Sequence, residues 1–128
     1  MIKTVLIVDD ERAVRNSLKE ILGFEGYKTI EAGDGFEAIK IIQSDQVVDC
    51  VLCDIKMPKV DGIEVLTQMK VSRPDVPIIM VSGHGDIDTA VETVKKGAFD
   101  FISKPPDLNR LLITIKNATE QSKLIKET

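Results

Sequence analysis

VLIVDDE, residues 5–11, decides how the rest of the chain is read. Four aliphatic residues in a row, Val5 to Val8, describe a strand buried on both faces; a half-exposed strand would alternate apolar with polar. The run then ends in two adjacent carboxylates, Asp9 and Asp10, with Glu11 behind them. Strands buried on both sides belong to parallel sheets covered by helices. The acids therefore stand at the carboxyl end of such a strand.

Working outward, short runs rich in Val, Ile, Leu and Phe recur at Lys3–Val8, Tyr27–Glu31, Asp49–Cys53, Ile78–Val81 and Phe99–Ile102. Helical patterns lie between them. Apolar stripes run through Val14, Leu18, Ile21 and Leu22, through Ile87, Ala90, Val91 and Val94, and through Leu108, Leu111, Leu112 and Ile115. Two less sharply patterned helices are expected over 35–44 and 62–72, opened by the turn-plus-cap pairs Asp34-Gly35 and Asp61-Gly62. Gly23, Gly26 and Gly97 stand where helices should stop. Asp34, Asp61, Asp86 and Asp107 read as N-caps, a position aspartate favours. Strand–helix alternation implies right-handed crossovers and a parallel sheet covered on both faces. The expected fold is α/β: one doubly wound (βα)5 domain of flavodoxin-like type, five parallel strands in the order 2-1-3-4-5.

The totals agree with one domain. The chain has 128 residues, 43% hydrophobic and 30% charged, enough for a real core. No apolar run approaches the ~20 residues that span a bilayer, and no signal peptide opens the sequence, so a cytoplasmic protein is expected. A net charge of −4 argues against direct contact with nucleic acid or an anionic membrane. Cys50 and Cys53 spell CxxC, but residues three apart on a strand point to opposite faces. Zinc would need further ligands, and His84 is the only histidine. Both cysteines read as core.

In an open parallel sheet ligands bind beyond the carboxyl ends of the strands. Asp9 and Asp10 follow the first strand, Asp54 the third, Ser82 and His84 the fourth, and Lys104 the fifth. With the first and third strands adjacent, three carboxylates converge. There is no GxGxxG in the first loop and no GxxxxGK[ST] anywhere, and the acids would repel a phosphate. Two carboxylates about 4 Å apart repel by ~4 kcal/mol at an effective dielectric near 20. The first helix's N-terminus relieves only ~0.3–1 kcal/mol of that. The balance calls for a cation, and all-oxygen ligands favour Mg²⁺ (or Mn²⁺) over Zn²⁺. Asp10 and Asp54 are the expected direct ligands, with Asp9 acting through water.

VDDE at the first strand end, Asp54 in LCDIKMPKVDG, Ser82 in IIMVSGHG, and Phe101 and Lys104 in GAFDFISKPP together resemble the receiver domain of bacterial two-component response regulators. The resemblance covers nearly the whole chain, with residues 1–120 as the receiver and 121–128 as the end of the last helix or the start of a linker. It implies that Asp54 accepts a phosphoryl group from a phosphohistidine on a sensor histidine kinase. Lys104 and Ser82 would contact the phosphoryl, and the backbone carbonyl of Lys56 would join the metal ligands. Ser82 and Phe101 would move as the switch, Lys56 and His84 would tune phosphate lifetime, and the Lys104–Pro105 bond would be cis. The output surface would be the fourth helix, fifth strand and fifth helix, also a surface for homodimers. The SGHGDIDTAV and GAFDFISKP stretches are most similar to receivers of NtrC-type, sigma-54-dependent regulators. That subtype implies a missing ATPase and DNA-binding output and a role in transcription. On this reading the domain promotes only its own phosphorylation and dephosphorylation and is not otherwise an enzyme.

Two alternatives come from other classes. A Mg²⁺-dependent phosphatase with an aspartate nucleophile usually carries an acid/base carboxylate two residues on, where this chain has Lys56. A receiver-like interaction module that is never phosphorylated would typically have lost an acid or the lysine, and this chain keeps all of them.

Overall fold

The computed structural model describes residues 2–57, 59–83, 87–104 and 106–127, with side chains through residue 120. Its elements alternate without exception: β1 (Thr4–Val8), α1 (Arg12–Phe24), β2 (Lys28–Ala32), α2 (Gly35–Ile42), β3 (Cys50–Asp54), α3 (Gly62–Ser72), β4 (Ile78–Ser82), α4 (Ile87–Lys95), β5 (Asp100–Ser103) and α5 (Leu108–Glu127). All strand pairs are parallel, in the order β2-β1-β3-β4-β5. This is the expected fold. β1, β3 and β4 are buried at every residue, as strands flanked on both edges and covered on both faces must be.

Strand alternation divides the core in two. Leu6, Val8, Val51, Cys53, Ile78 and Met80 face α2 and α3, packing on Ala38, Ile42, Val65, Leu66 and Met69. Val5, Ile7, Cys50, Leu52, Ile79, Val81 and Ile102 face α1 and α5, meeting Leu18, Leu22, Leu111 and Ile115. The two cysteines fall on opposite faces, both as free buried thiols, as period-2 geometry requires.

Caps behave as the sequence indicates in three of four places. Asp34 accepts the Glu37 amide at 2.7 Å, Asp61 that of Glu64 at 3.1 Å, and Asp107 that of Arg110 at 3.0 Å. Asp86 lies outside the described residues. Gly23 does not end α1, which runs on to Phe24; the turn is made by Gly26 at φ 91°, a conformation side chains disfavour. Strand limits differ from the expected ones by a residue, so that Asp54 and Ser82 are the last residues of β3 and β4. The expected stripe of α4 does not face the core. Ile87, Val91 and Val94 are exposed, and Thr93 is the fully buried residue. The Thr93 hydroxyl is satisfied within the helix, donating to the Ala90 carbonyl at 2.9 Å.

Candidate functional site

Register brings the acids together. Val8 of β1 pairs with Cys53 of β3, so Asp9 and Asp54 each stand one residue beyond that rung on adjacent strands. Asp54 in turn pairs with Val81, next to Ser82, and Ser82 pairs with Ser103, next to Lys104. One carboxylate oxygen each from Asp9, Asp10 and Asp54 lies within 4.8 Å of the other two; Asp9 and Asp54 are buried and Asp10 is exposed.

Lys104 reaches back over this cluster. Its Nζ donates to Asp9 Oδ2 at 2.7 Å and sits 3.4 Å from Asp54 Oδ2. Burial acts to lower the lysine pKa, but the hydrogen bond and charge of Asp9, with Asp54 behind it, hold it above the ordinary value. For Asp54 burial comes first and pushes the carboxyl up. Lys104 pulls it back, and the charge of Asp9 adds to the rise. The net effect is a carboxylate less comfortable with its charge than one in water.

Asp9 is fixed at every polar atom. Its amide donates to the Ala32 carbonyl at 3.2 Å and its carbonyl accepts from Arg15 Nη1 at 2.7 Å. Its Oδ1 accepts the Glu11 amide at 2.9 Å and its Oδ2 takes Lys104. Exposed Asp10 makes no hydrogen bond to a described residue.

The floor of the site depends on close backbone approach. The Gly62 amide donates to the Ile55 carbonyl at 2.7 Å. A Cβ on Gly62 would lie 2.2 Å from the Asp54 carbonyl oxygen, so only glycine lets α3 start this near the end of β3. Gly35 meets the Val60 carbonyl in the same way. Lys59, on the loop between β3 and α3, has φ 67°.

Of the remaining expected site residues, Ser82 is buried at the end of β4 and Lys56 is exposed just after Asp54. Phe101 is half-buried against the α2–α3 side of the core, opposite Met80. His84 and Pro105, and with Pro105 the cis bond, lie outside the described residues. Two contributors escaped the sequence reading. Arg15 and its partner Glu31, 3.3 Å apart, brace the Asp9 loop. Arg15 meets Asp9 at a backbone carbonyl, a partner that leaves no mark on side-chain pattern.

A family model of the response regulator receiver domain matches residues 5–116. The chain is 42% identical over 125 residues to the putative response regulator NtrX-like of Rickettsia typhi, covering 96% of this chain and 26% of that protein. It is 36% identical over 120 residues to the transcriptional regulatory protein ZraR of Klebsiella oxytoca, covering 94% and 27%. The chain thus spans about a quarter of the length of these relatives. Among solved structures, a response regulator receiver domain protein from Clostridium thermocellum superposes with a TM-score of 0.92 at 33% identity, covering 97% of this chain and 99% of that one. NtrX from Brucella abortus does so at 0.91 with 39% identity, covering 99% and 29%. Strand order and acid cluster thus agree with matches along nearly the whole length, and the chain belongs to the receiver domains of two-component response regulators.

Proposed function

We propose that Asp54 is the phosphoacceptor and that its phosphorylation requires a divalent cation. The observation that carries this is the cluster itself: three carboxylate oxygens within 4.8 Å of one another, with the Lys104 ammonium against two of the acids. An all-oxygen set with one exposed member suits Mg²⁺ or Mn²⁺, which keep several waters and accept a phosphoryl oxygen. Asp10 and Asp54 would hold the ion directly, joined by the Lys56 backbone carbonyl. Asp9, its oxygens already taken, would act through water. The ion's contribution is to offset charge on the phosphoryl group in transfer.

The chain's own residues do the rest. The Asp54 carboxylate is the nucleophile; its new O–P bond forms as the N–P bond of the kinase phosphohistidine breaks and the departing imidazole takes a proton. Lys104 moves its ammonium from Asp9 to a phosphoryl oxygen, and Ser82 donates its hydroxyl. Phe101 follows inward, biasing a two-state equilibrium by contacts that exist only in the active state. On the family resemblance, Lys56 and His84 would tune how fast water ends the signal. The readout surface is α4, β5 and α5, supported by Ile87, Val91 and Val94, which stand 81%, 45% and 49% exposed on α4. It would serve homodimerisation.

In the whole protein we place a sensor histidine kinase upstream and a sigma-54 ATPase with a DNA-binding domain downstream, acting on transcription in the cytoplasm. Among the described residues no helix is long and apolar enough to cross a membrane. We take residues 1–120 as the receiver and 121–128 as the end of the last helix or the start of a linker. The domain turns over no substrate beyond its own phosphate.

Intact-protein mass after incubation with acetyl phosphate tests the core of this. One added phosphoryl group is expected with Mg²⁺, and none with excess chelator or in Asp54→Asn. Phosphorylation that survives in Asp54→Asn overturns the assignment.

A further inference from the structure

We infer that Arg15 is the positioning residue of the cation site: its guanidinium, oriented by Glu31, clamps the backbone between Asp9 and Asp10 and thereby sets where the Asp10 carboxylate stands. The inference rests on the proposed cation-dependent function and concerns a residue that touches neither cation nor phosphoryl.

The geometry is specific. Arg15 projects from α1, one turn after the Asp9–Glu11 loop. Its Nη1 donates to the Asp9 carbonyl at 2.7 Å and its Nε to Glu31 Oε1 at 3.3 Å. The shorter bond goes to the loop, so the ion pair with β2 orients the fork rather than exhausting it. The Arg15 side chain is 17% exposed and that of Glu31 31%, and Lys19 adds a second cation 3.8 Å from Glu31.

Two things follow for the site. First, the peptide joining Asp9 to Asp10 has its oxygen anchored. Asp9 is already held at its amide and both carboxylate oxygens, so Asp10 is left as the adjustable ligand on a fixed stem. Second, Glu31 neutralises a guanidinium that would otherwise repel a cation entering beside it. Groups that hold ligands in place matter nearly as much as the ligands; removing such partners typically weakens metal binding by about 10–100-fold.

Calorimetric titration of the full chain with Mg²⁺ alone, on wild type and Arg15→Gln, tests this, with circular dichroism confirming that the variant is folded. The expected result is a Kd raised about ten-fold in Arg15→Gln, with Arg15→Lys between the two, since an ammonium cannot hold both partners in one plane. A second readout needs no metal. In chelator, hydrogen exchange at the Glu11 amide, which donates to Asp9 Oδ1, should be faster in Arg15→Gln than in wild type. A wild type that binds no Mg²⁺ sinks the functional reading and this inference together. A wild type that binds, with Arg15→Gln binding equally well, sinks this inference alone. Should Arg15→Gln fail to fold, Glu31→Gln carries the test. It leaves the fork on Asp9 but unbalances its charge, so Mg²⁺ should bind more weakly, most clearly at low salt; unchanged affinity overturns the proposal.

Discussion

Replacing Lys104 with methionine removes the cation that faces two buried carboxylates. At 2.7 Å from Asp9 and 3.4 Å from Asp54, its gross attractions are about 6 and about 5 kcal/mol at an effective dielectric near 20. Desolvation of the ammonium takes back much of this, and breaking a buried pair from one side costs about 3–5 kcal/mol net. The Lys104 side chain is 19% exposed, against 3% and 8% for its partners, which favours the lower end. A loss of about 3 kcal/mol in chelator is therefore expected. Urea unfolding followed by far-ultraviolet circular dichroism measures it, the chain having no tryptophan. Saturating Mg²⁺ stabilises both proteins, so it should narrow the gap by the ratio of their Kd values, about 1.4 kcal/mol for each ten-fold. The variant should also bind the ion more tightly than wild type, because no ammonium competes.

The sign of the pH dependence follows from the shifts. The folded pKa of Lys104 is raised, so wild type keeps this contribution below the ordinary lysine value and loses it as pH rises through the folded one. Burial already raises Asp54, and losing Lys104 raises it further. A carboxyl raised on folding destabilises while ionised, so the variant regains stability as pH falls through the folded pKa. Wild type and variant should converge towards acid. A loss equal with and without Mg²⁺, and unchanged as pH falls through the carboxyl range, would refute the ion-pair reasoning.

Gly62→Ala should cost about 1–3 kcal/mol, the usual penalty for overpacking, because its Cβ meets the Asp54 carbonyl at 2.2 Å. Phosphorylation by acetyl phosphate should slow with it, and an unchanged urea midpoint would show that α3 moves aside freely. Burial pushes the Cys50 thiol up to about 12 and that of Cys53 up as well. Neither should react with a disulfide reagent at about pH 8 until urea is added, since the thiolate is the reactive form; prompt native labelling would contradict their burial.

The parallel sheet was legible from strand–helix alternation, and the meeting of Asp9, Asp10 and Asp54 followed once a flavodoxin-like order made the first and third strands neighbours; the role of Lys104 came with the family resemblance. VLIVDD announces a central strand and its acidic end in six residues. Contacts with backbone left no such trace. Asp61-Gly62 read as a cap and turn, and Asp61 does cap α3, but the glycine's second task, admitting the Asp54 carbonyl, depends on a neighbour eight positions back. Arg15 drew no reading at all, because its partner at Asp9 is a backbone carbonyl. In α4, the apolar spacing of Ile87, Val91 and Val94 was real, but the helix turns its small residues inward; periodicity reports an apolar face without saying what covers it.

The hydrogen bond from Lys104 to Asp9 joins positions 95 residues apart, nearly the two ends of the domain. Such closure is among the slowest and entropically dearest contacts a chain makes. During synthesis Asp9 and Asp54 emerge long before the strand that brings their lysine, so a chain ending at β4 carries the acids without the cation that balances them. Competence to signal is thereby tied to completeness of the sheet: no N-terminal fragment short of β5 possesses the assembled centre.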